Sequence, residues 1–220
     1  KIVAGTRLES LSSLAVRSFL RGMEIEKGII SSVRDIPGSL MKTLTSLTGY
    51  LHILTYRSKL PFRIAYETPE TLGPDRLAAV AGAFLICEGK DSLVVDAGTA
   101  ITYEFIEGSV YTGGNISPGI DTRFRALNRF TGRLPLVTRS EKFSFPGNST
   151  RDALTAGVIY GVVFEINEYI RTFEEKHRNA NVILTGGDSL WLKDRISGKF
   201  IYIPDIVMIG LNYILEYNAK

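Results

Sequence analysis

The chain is 220 residues long, 45% hydrophobic and 22% charged, with a formal net charge of +3. That length and apolar content can bury the core of one large domain or two small ones. The basic residues are scattered rather than clustered, which leaves no nucleic-acid footprint and no polybasic membrane patch. The single cysteine, Cys87, lies in the apolar run AVAGAFLIC (79–87) and reads as a buried, reduced thiol. No apolar stretch approaches the length of a membrane span, and no signal peptide is visible, so a cytoplasmic protein is expected.

In chain order, KIVAG (1–5) reads as the end of a strand that begins upstream. LSSLAVRSFLRGM (11–23) reads as a helix, GIISSV (28–33) as a strand, GSLMKTLTSLTGY (38–50) as a helix and LHILTY (51–56) as a strand. GPDR (73–76) opens a further helix that continues through LAAVAGAFLICEG (77–89). Pro74 suits the first helical position, and Asp75 falls in the first turn, where complementing the helix dipole would by itself explain it.

SLVVDAG (92–98), AITYEFI (100–106) and SVYTGGNI (109–116) then alternate as three consecutive strands, the last two joined at Glu107-Gly108. Residues 96–99 form the hairpin tip between the first two. It carries a carboxylate on Asp96, bare backbone at Gly98 and a hydroxyl on Thr99, groups that suit an approaching ligand. An Asp capping its own turn would look the same.

DTRFRALNRF (121–130) reads as a helix and RSEKFSFPGNST (139–150) as a mobile loop. From Thr150 onward, Leu154, Val158, Val162, Ile166 and Ile170 recur every four residues, an amphipathic stripe in which Gly157 and Gly161 permit close packing. Thr150 is an N-cap candidate with Ser149 beside it. NVILTGG (181–187) reads as a strand, followed by a short helix around Trp191, a strand KFIYIPD (199–205) and a last helix VMIGLNYILEYN (207–218). His52 and His177 suggest neither a catalytic nor a metal role, and no His/Cys cluster suggests zinc.

The second half thus reads as three strands followed by alternating helices and strands. The first half repeats the order helix, strand, helix, strand, helix without two of the three opening strands. The expected fold class is therefore α/β, two duplicated actin-like (ribonuclease H-like) domains of βββαβαβα type with nucleotide in the cleft between them. The expected division is an incomplete N-terminal domain over 1–72 and a C-terminal domain over 73–220, with helix 74–88 near the junction.

Five separated motifs resemble type III pantothenate kinases in order and spacing: YETPETLGPDRLAAVAGA (66–83), VVDAGTAITYEF (94–105), GGNISPGI (113–120), ALNRFTGRLP (126–135) and ILTGGD (183–188). The resemblance implies ATP-dependent phosphorylation of pantothenate to 4'-phosphopantothenate, the opening step of coenzyme A biosynthesis. Asp75 matches that family's general base. Tyr66, Gly73, Pro74, Arg76 and Thr150 match substrate-binding positions, with Thr150 reaching the substrate of a neighbouring subunit in a homodimer. Asp96 matches the carboxylate that holds a monovalent cation, potassium or ammonium. Gly98 and Thr99 match phosphate contacts, Gly186 and Gly187 the adenosine pocket, and Mg2+ is expected as the partner of ATP.

The family opens with a strand ending in an Asp-x-Gly-Asn-Thr-x-x-Lys phosphate turn, of which Lys1 is expected to be the closing lysine. Two alternatives to the pantothenate kinase reading are a silent relative acting as an accessory transcriptional regulator and a kinase of another small alcohol. No nucleic-acid or membrane partner is expected.

Overall fold

The computed structural model describes residues 2–6, 8 and 11–219. Lys1, and with it the expected closing lysine, lies outside the described residues. Ile2 to Gly5 form no strand, which corrects the reading of KIVAG.

The first third of the chain builds α1 (Ser13–Phe19), β1 (Ile25–Ile30), α2 (Gly38–Leu47) and β2 (Thr48–Ile53). Both strands start upstream of the expected segments. β1 and β2 pair in parallel as a separate two-stranded sheet, as expected of strands joined through a helix.

A six-stranded sheet carries the rest of the fold. Its strands are β3 (Arg63–Ile64), β4 (Ser92–Ala97), β5 (Ala100–Glu107), β6 (Val110–Pro118), β7 (Asn181–Thr185) and β8 (Ile201–Tyr202), in spatial order β3-β6-β5-β4-β7-β8. β4, β5 and β6 form an antiparallel meander, and β7 joins β4 in parallel. β3 is too short to be read from periodicity, and β8 is much shorter than the KFIYIPD segment. Gly108 makes the turn into β6 with φ of 56°.

Helices cover both faces of this sheet. α4 (Ile120–Phe130) and α5 (Thr150–Lys176) cover the face of Leu93, Val95, Ile101 and Tyr103. α3 (Pro74–Ile86) and α7 (Ile206–Asn218) cover the face of Val94, Ile106, Tyr111 and Ile183. The four-residue α6 (Ser189–Leu192) follows β7. Cys87 is buried at the end of α3, where loss of solvent pushes its thiol pKa up.

α3 and α7 lie against each other through glycine. A Cβ on Gly210 would stand 1.8 Å from the Ala78 carbonyl oxygen, and one on Gly82 would stand 2.4 Å from that of Ile206. Only hydrogen side chains allow the two backbones so near. Gly157 and Gly161 play no such part: a Cβ on Gly157 would meet open space, and one on Gly161 only the tip of Arg123 at 3.7 Å. The expectation that those two glycines permit close packing is corrected accordingly.

α5 also corrects the reading that no apolar stretch reaches membrane-span length. It is long enough and apolar enough on average to cross a membrane, but half of that window is buried within the protein. Its apolar residues serve the core.

Candidate active site

The DAGT tip forms as expected. β4 and β5 pair from Ser92↔Ile106 to Ala97↔Ile101, and the Gly98 amide closes the turn on the Ala100 carbonyl at 3.0 Å. Thr99 sits exposed at the tip. Its carbonyl accepts from the Gly119 amide at 3.0 Å and from the Thr122 hydroxyl at 2.7 Å, fixing the tip to the start of α4.

The Gly186-Gly187 turn packs on the same tip. Gly186 has φ of 95°, and a Cβ there would stand 2.4 Å from both the Ala97 carbonyl oxygen and Asp96 Oδ1. A residue with a side chain is therefore excluded by conformation and by space. The next turn is held by the Asp188 amide, which donates to the Ala97 carbonyl at 2.8 Å. Gly187 itself borders open space.

Asp96 is half-buried, and its carboxylate makes no hydrogen bond or ion pair among the described residues. Burial, then the charges of Asp75 and Glu104, push its pKa up to about 6. Asp75 at the start of α3 and Asp96 at the end of β4 therefore share one electrostatic neighbourhood although 21 positions separate them in sequence. A carboxylate crowded by like charge and lacking a cationic partner suits a bound cation. Among the described residues no cluster of three or more His, Cys, Asp or Glu could hold a metal ion, so a cation here would rest on Asp96 together with backbone and phosphate oxygens.

Gly73 precedes α3, Pro74 takes the first helical position and Asp75 lies exposed in the first turn. Asp75 Oδ1 accepts the Arg76 amide at 2.9 Å, which orients the carboxylate at the helix start. Arg76 points inward and is only 8% exposed. Its Nε and Nη2 donate to the two oxygens of Glu104 at 2.8 and 2.9 Å, and Nη2 also reaches the Tyr111 hydroxyl at 3.0 Å. Burial works against the guanidinium charge, but the Glu104 hydrogen bonds and charge outweigh it and raise the Arg76 pKa. The Tyr66 ring stacks on Tyr111 at 6.4 Å and lies 5.9 Å from the Arg76 guanidinium.

Tyr66, Asp75 and Arg76 thus gather at the start of α3, and Asp96, Gly98 and Gly186 at the adjoining ends of β4 and β7, with the charge of Asp75 acting on Asp96 across the gap. Thr150 stands apart from them. It lines a groove of about 730 Å³ between α4 and α5, together with Pro118, Thr122 and Arg123. The helix cap there is Ser149, whose hydroxyl accepts the Asp152 amide at 3.1 Å; Thr150 is the first helical residue, which corrects its reading as the cap.

Sequence reasoning passed over Glu104 and Tyr111. One signal was available: a glutamate on a strand buried on both faces must find a partner. It also passed over Arg139, which bridges Asp188 at 2.8 Å and Asp121 at 3.2 Å and so ties the 139–149 loop to both turns around Thr99.

The strand order β3-β6-β5-β4-β7-β8, with helices on both faces, is an α/β arrangement. The family model described as type III pantothenate kinase matches residues 5–172. A type III pantothenate kinase of Porphyromonas gingivalis is 41% identical over 227 residues, covering 99% of this chain and 93% of the relative. One of Cytophaga hutchinsonii is 40% identical over 205 residues, covering 91% of this chain and 86% of the relative. The crystal structure of a conserved putative Baf family transcriptional activator from Campylobacter jejuni is similar with a TM-score of 0.59 and 26% identity, over 93% of this chain and 88% of that one. The chain belongs to the type III pantothenate kinase family.

Proposed function

We propose that the chain transfers the γ-phosphoryl group of ATP to the primary hydroxyl of pantothenate, giving 4'-phosphopantothenate, with Asp75 as general base. The observation that carries this reading is the electrostatic convergence of Asp75 and Asp96 across the α3 start and the β4 tip. Phosphoryl transfer requires a positioned base, charge compensation at the phosphates and alignment of the two reactants.

Asp75 is exposed and oriented by the Arg76 amide, so it can accept the hydroxyl proton as the oxygen attacks phosphorus. Asp96 holds potassium or ammonium beside the phosphates, where fixed positive charge offsets the charge gathering in transfer. The Gly98 and Thr99 tip offers backbone and hydroxyl groups to the phosphates. Gly186 and Gly187 border the adenosine, and Mg2+ arrives with ATP, coordinated by phosphate and water.

The chain is laid out as two units, 1–72 and 73–220, with nucleotide in the cleft between them. Support comes from the repeated order α1-β1-α2-β2 before residue 73 and α5-β7-α6-β8 after it, each followed by one of two mutually packed helices, α3 at the junction and α7. In a homodimer, Thr150 reaches the partner's pantothenate from its groove. The protein works in the cytoplasm without nucleic acid or membrane.

The test is a coupled assay of ADP release with pantothenate as acceptor, together with mass detection of the phosphorylated product. ADP release dependent on pantothenate supports the reading, and release that ignores pantothenate but responds to another alcohol defeats it. A silent regulator, the reading favoured by the name of the Campylobacter jejuni protein, would bind nucleotide without pantothenate-dependent turnover.

A further inference from the structure

The inference rests on the kinase reading above and concerns how its substrate corner is held. Arg76 and Glu104 are 28 positions apart and meet in a buried fork, with Glu104 fully enclosed. Glu104 is also the acceptor for the Tyr111 hydroxyl at 2.5 Å, and the same hydroxyl receives Arg76 Nη2. Gly114, the β6 partner of Glu104, leaves the room this fork needs: a Cβ there would stand 2.5 Å from both Arg76 Nη2 and Glu104 Oε2.

Nε and Nη2, two of the three guanidinium nitrogens, are thereby committed to the fork, and the Tyr66 side chain is a further hydrogen-bonding partner of the guanidinium. Nη1 is the guanidinium nitrogen that the Glu104–Tyr111 fork leaves uncommitted. The Tyr66 ring lies over the guanidinium, and the Asp75 carboxylate is held by the Arg76 amide. One N–H edge left by the fork, an aromatic wall and the proposed base occupy the same turn.

We propose that Glu104 and Tyr111 are positioning residues for the substrate: they lock Arg76 in a single orientation, so that its Nη1 edge beside Tyr66 receives the substrate's carboxylate while the hydroxyl at the other end lies at Asp75. Arg76 alone, on a flexible stem, would have to be ordered at each binding event, and the fork removes that cost. Glu104 touches no reacting atom. Its influence passes through Arg76 and falls on the carboxylate end of the substrate.

The experiment compares wild type, Glu104→Gln and Tyr111→Phe in steady-state kinetics with pantothenate and ATP. Binding of pantothenate and of pantothenol, in which CH2OH replaces the carboxylate, is measured by calorimetry. Glu104→Gln is expected to weaken pantothenate by about tenfold or more, the scale of a lost hydrogen bond to a charged group, with the KM for ATP and the binding of pantothenol within about twofold of wild type. Tyr111→Phe is expected to move the same quantities in the same direction, by less.

An unchanged pantothenate affinity in folded Glu104→Gln overturns the proposal, as does an equal loss for pantothenate, pantothenol and ATP, which marks a structural role alone. If Glu104→Gln does not fold, Tyr111→Phe decides by the same criteria. A wild-type protein that neither binds nor phosphorylates pantothenate overturns the kinase reading instead, so the two failures are distinguishable.

Discussion

Gly186 lies flush against the Asp96 carboxylate, so close that a methyl group on its α-carbon would stand 2.4 Å from Oδ1. The contact joins the turn after β7 to the hairpin tip after β4, the two turns between which phosphates are proposed to lie. It also explains why Asp96 has no side-chain partner there: the residue beside it has no side chain to offer.

Gly186→Ala should therefore both strain the backbone at φ of 95° and displace Asp96. Each effect costs on the order of 1 kcal/mol or more. The expected result is a lower Tm together with a loss of nucleotide affinity, read by thermal denaturation with and without ATP. A variant with wild-type Tm and wild-type ATP response contradicts the packing described.

Gly210→Ala probes the fold away from the site. The added methyl would meet the Ala78 carbonyl oxygen at 1.8 Å, and only separation of α3 from α7 relieves it. Overpacking of this kind costs about 1 to 3 kcal/mol. Chemical denaturation should show at least that loss, whereas Gly157→Ala, facing open space, should be neutral or slightly stabilising as a helix substitution.

Asp75→Asn removes the proposed base while keeping size and polarity. Turnover should fall by roughly 100- to 10,000-fold, with ATP affinity by calorimetry and the unfolding curve nearly unchanged. Retained turnover would remove Asp75 from that role.

The pH dependence follows from Asp96. Its folded pKa of about 6 lies above the ordinary aspartate value of 3.8, so the native state binds the proton more tightly than the unfolded chain does. The stabilising contribution of this group is complete below the unfolded value and is lost as pH rises through the window between those two values. Above it, a bare carboxylate is a liability that a bound cation offsets. Asp96→Asn should accordingly raise Tm by a few degrees at pH 7.5 in potassium-free buffer, given about 2 to 4 °C per kcal/mol for a protein of this size. The gain should vanish below pH 4, and potassium activation of turnover should be lost. In wild type, the potassium needed for half-maximal activation should rise as pH falls below about 6, because protons then compete for the site.

Much of this architecture is legible in the sequence because it obeys simple periods. The four-residue stripe from Leu154 to Ile170 gave α5, and the alternation around Gly98 and Gly108 gave the meander. Pro74 and Asp75 marked the start of α3. Elements without a period were missed: β3 spans two residues, and the 3-10 turn Pro69–Thr71 is a single turn. In the site, the residues at turns were visible since Gly, Asp and Thr cluster there for local reasons. The Arg76–Glu104 fork was not, because its partners lie on separate elements and only tertiary packing brings them together. Arg76 reads in the sequence as a substrate contact, but its burial beside Glu104 follows only from the packing of α3 on the sheet.

The most direct test of the central claim, that Asp75 and Asp96 face one another's charge at a shared site, is an NMR titration of the Asp96 side-chain carboxyl in wild type and in Asp75→Asn. The account predicts a wild-type value near 6 that falls when the Asp75 charge is removed. A value in the ordinary carboxylate range, unmoved by the substitution, would contradict it.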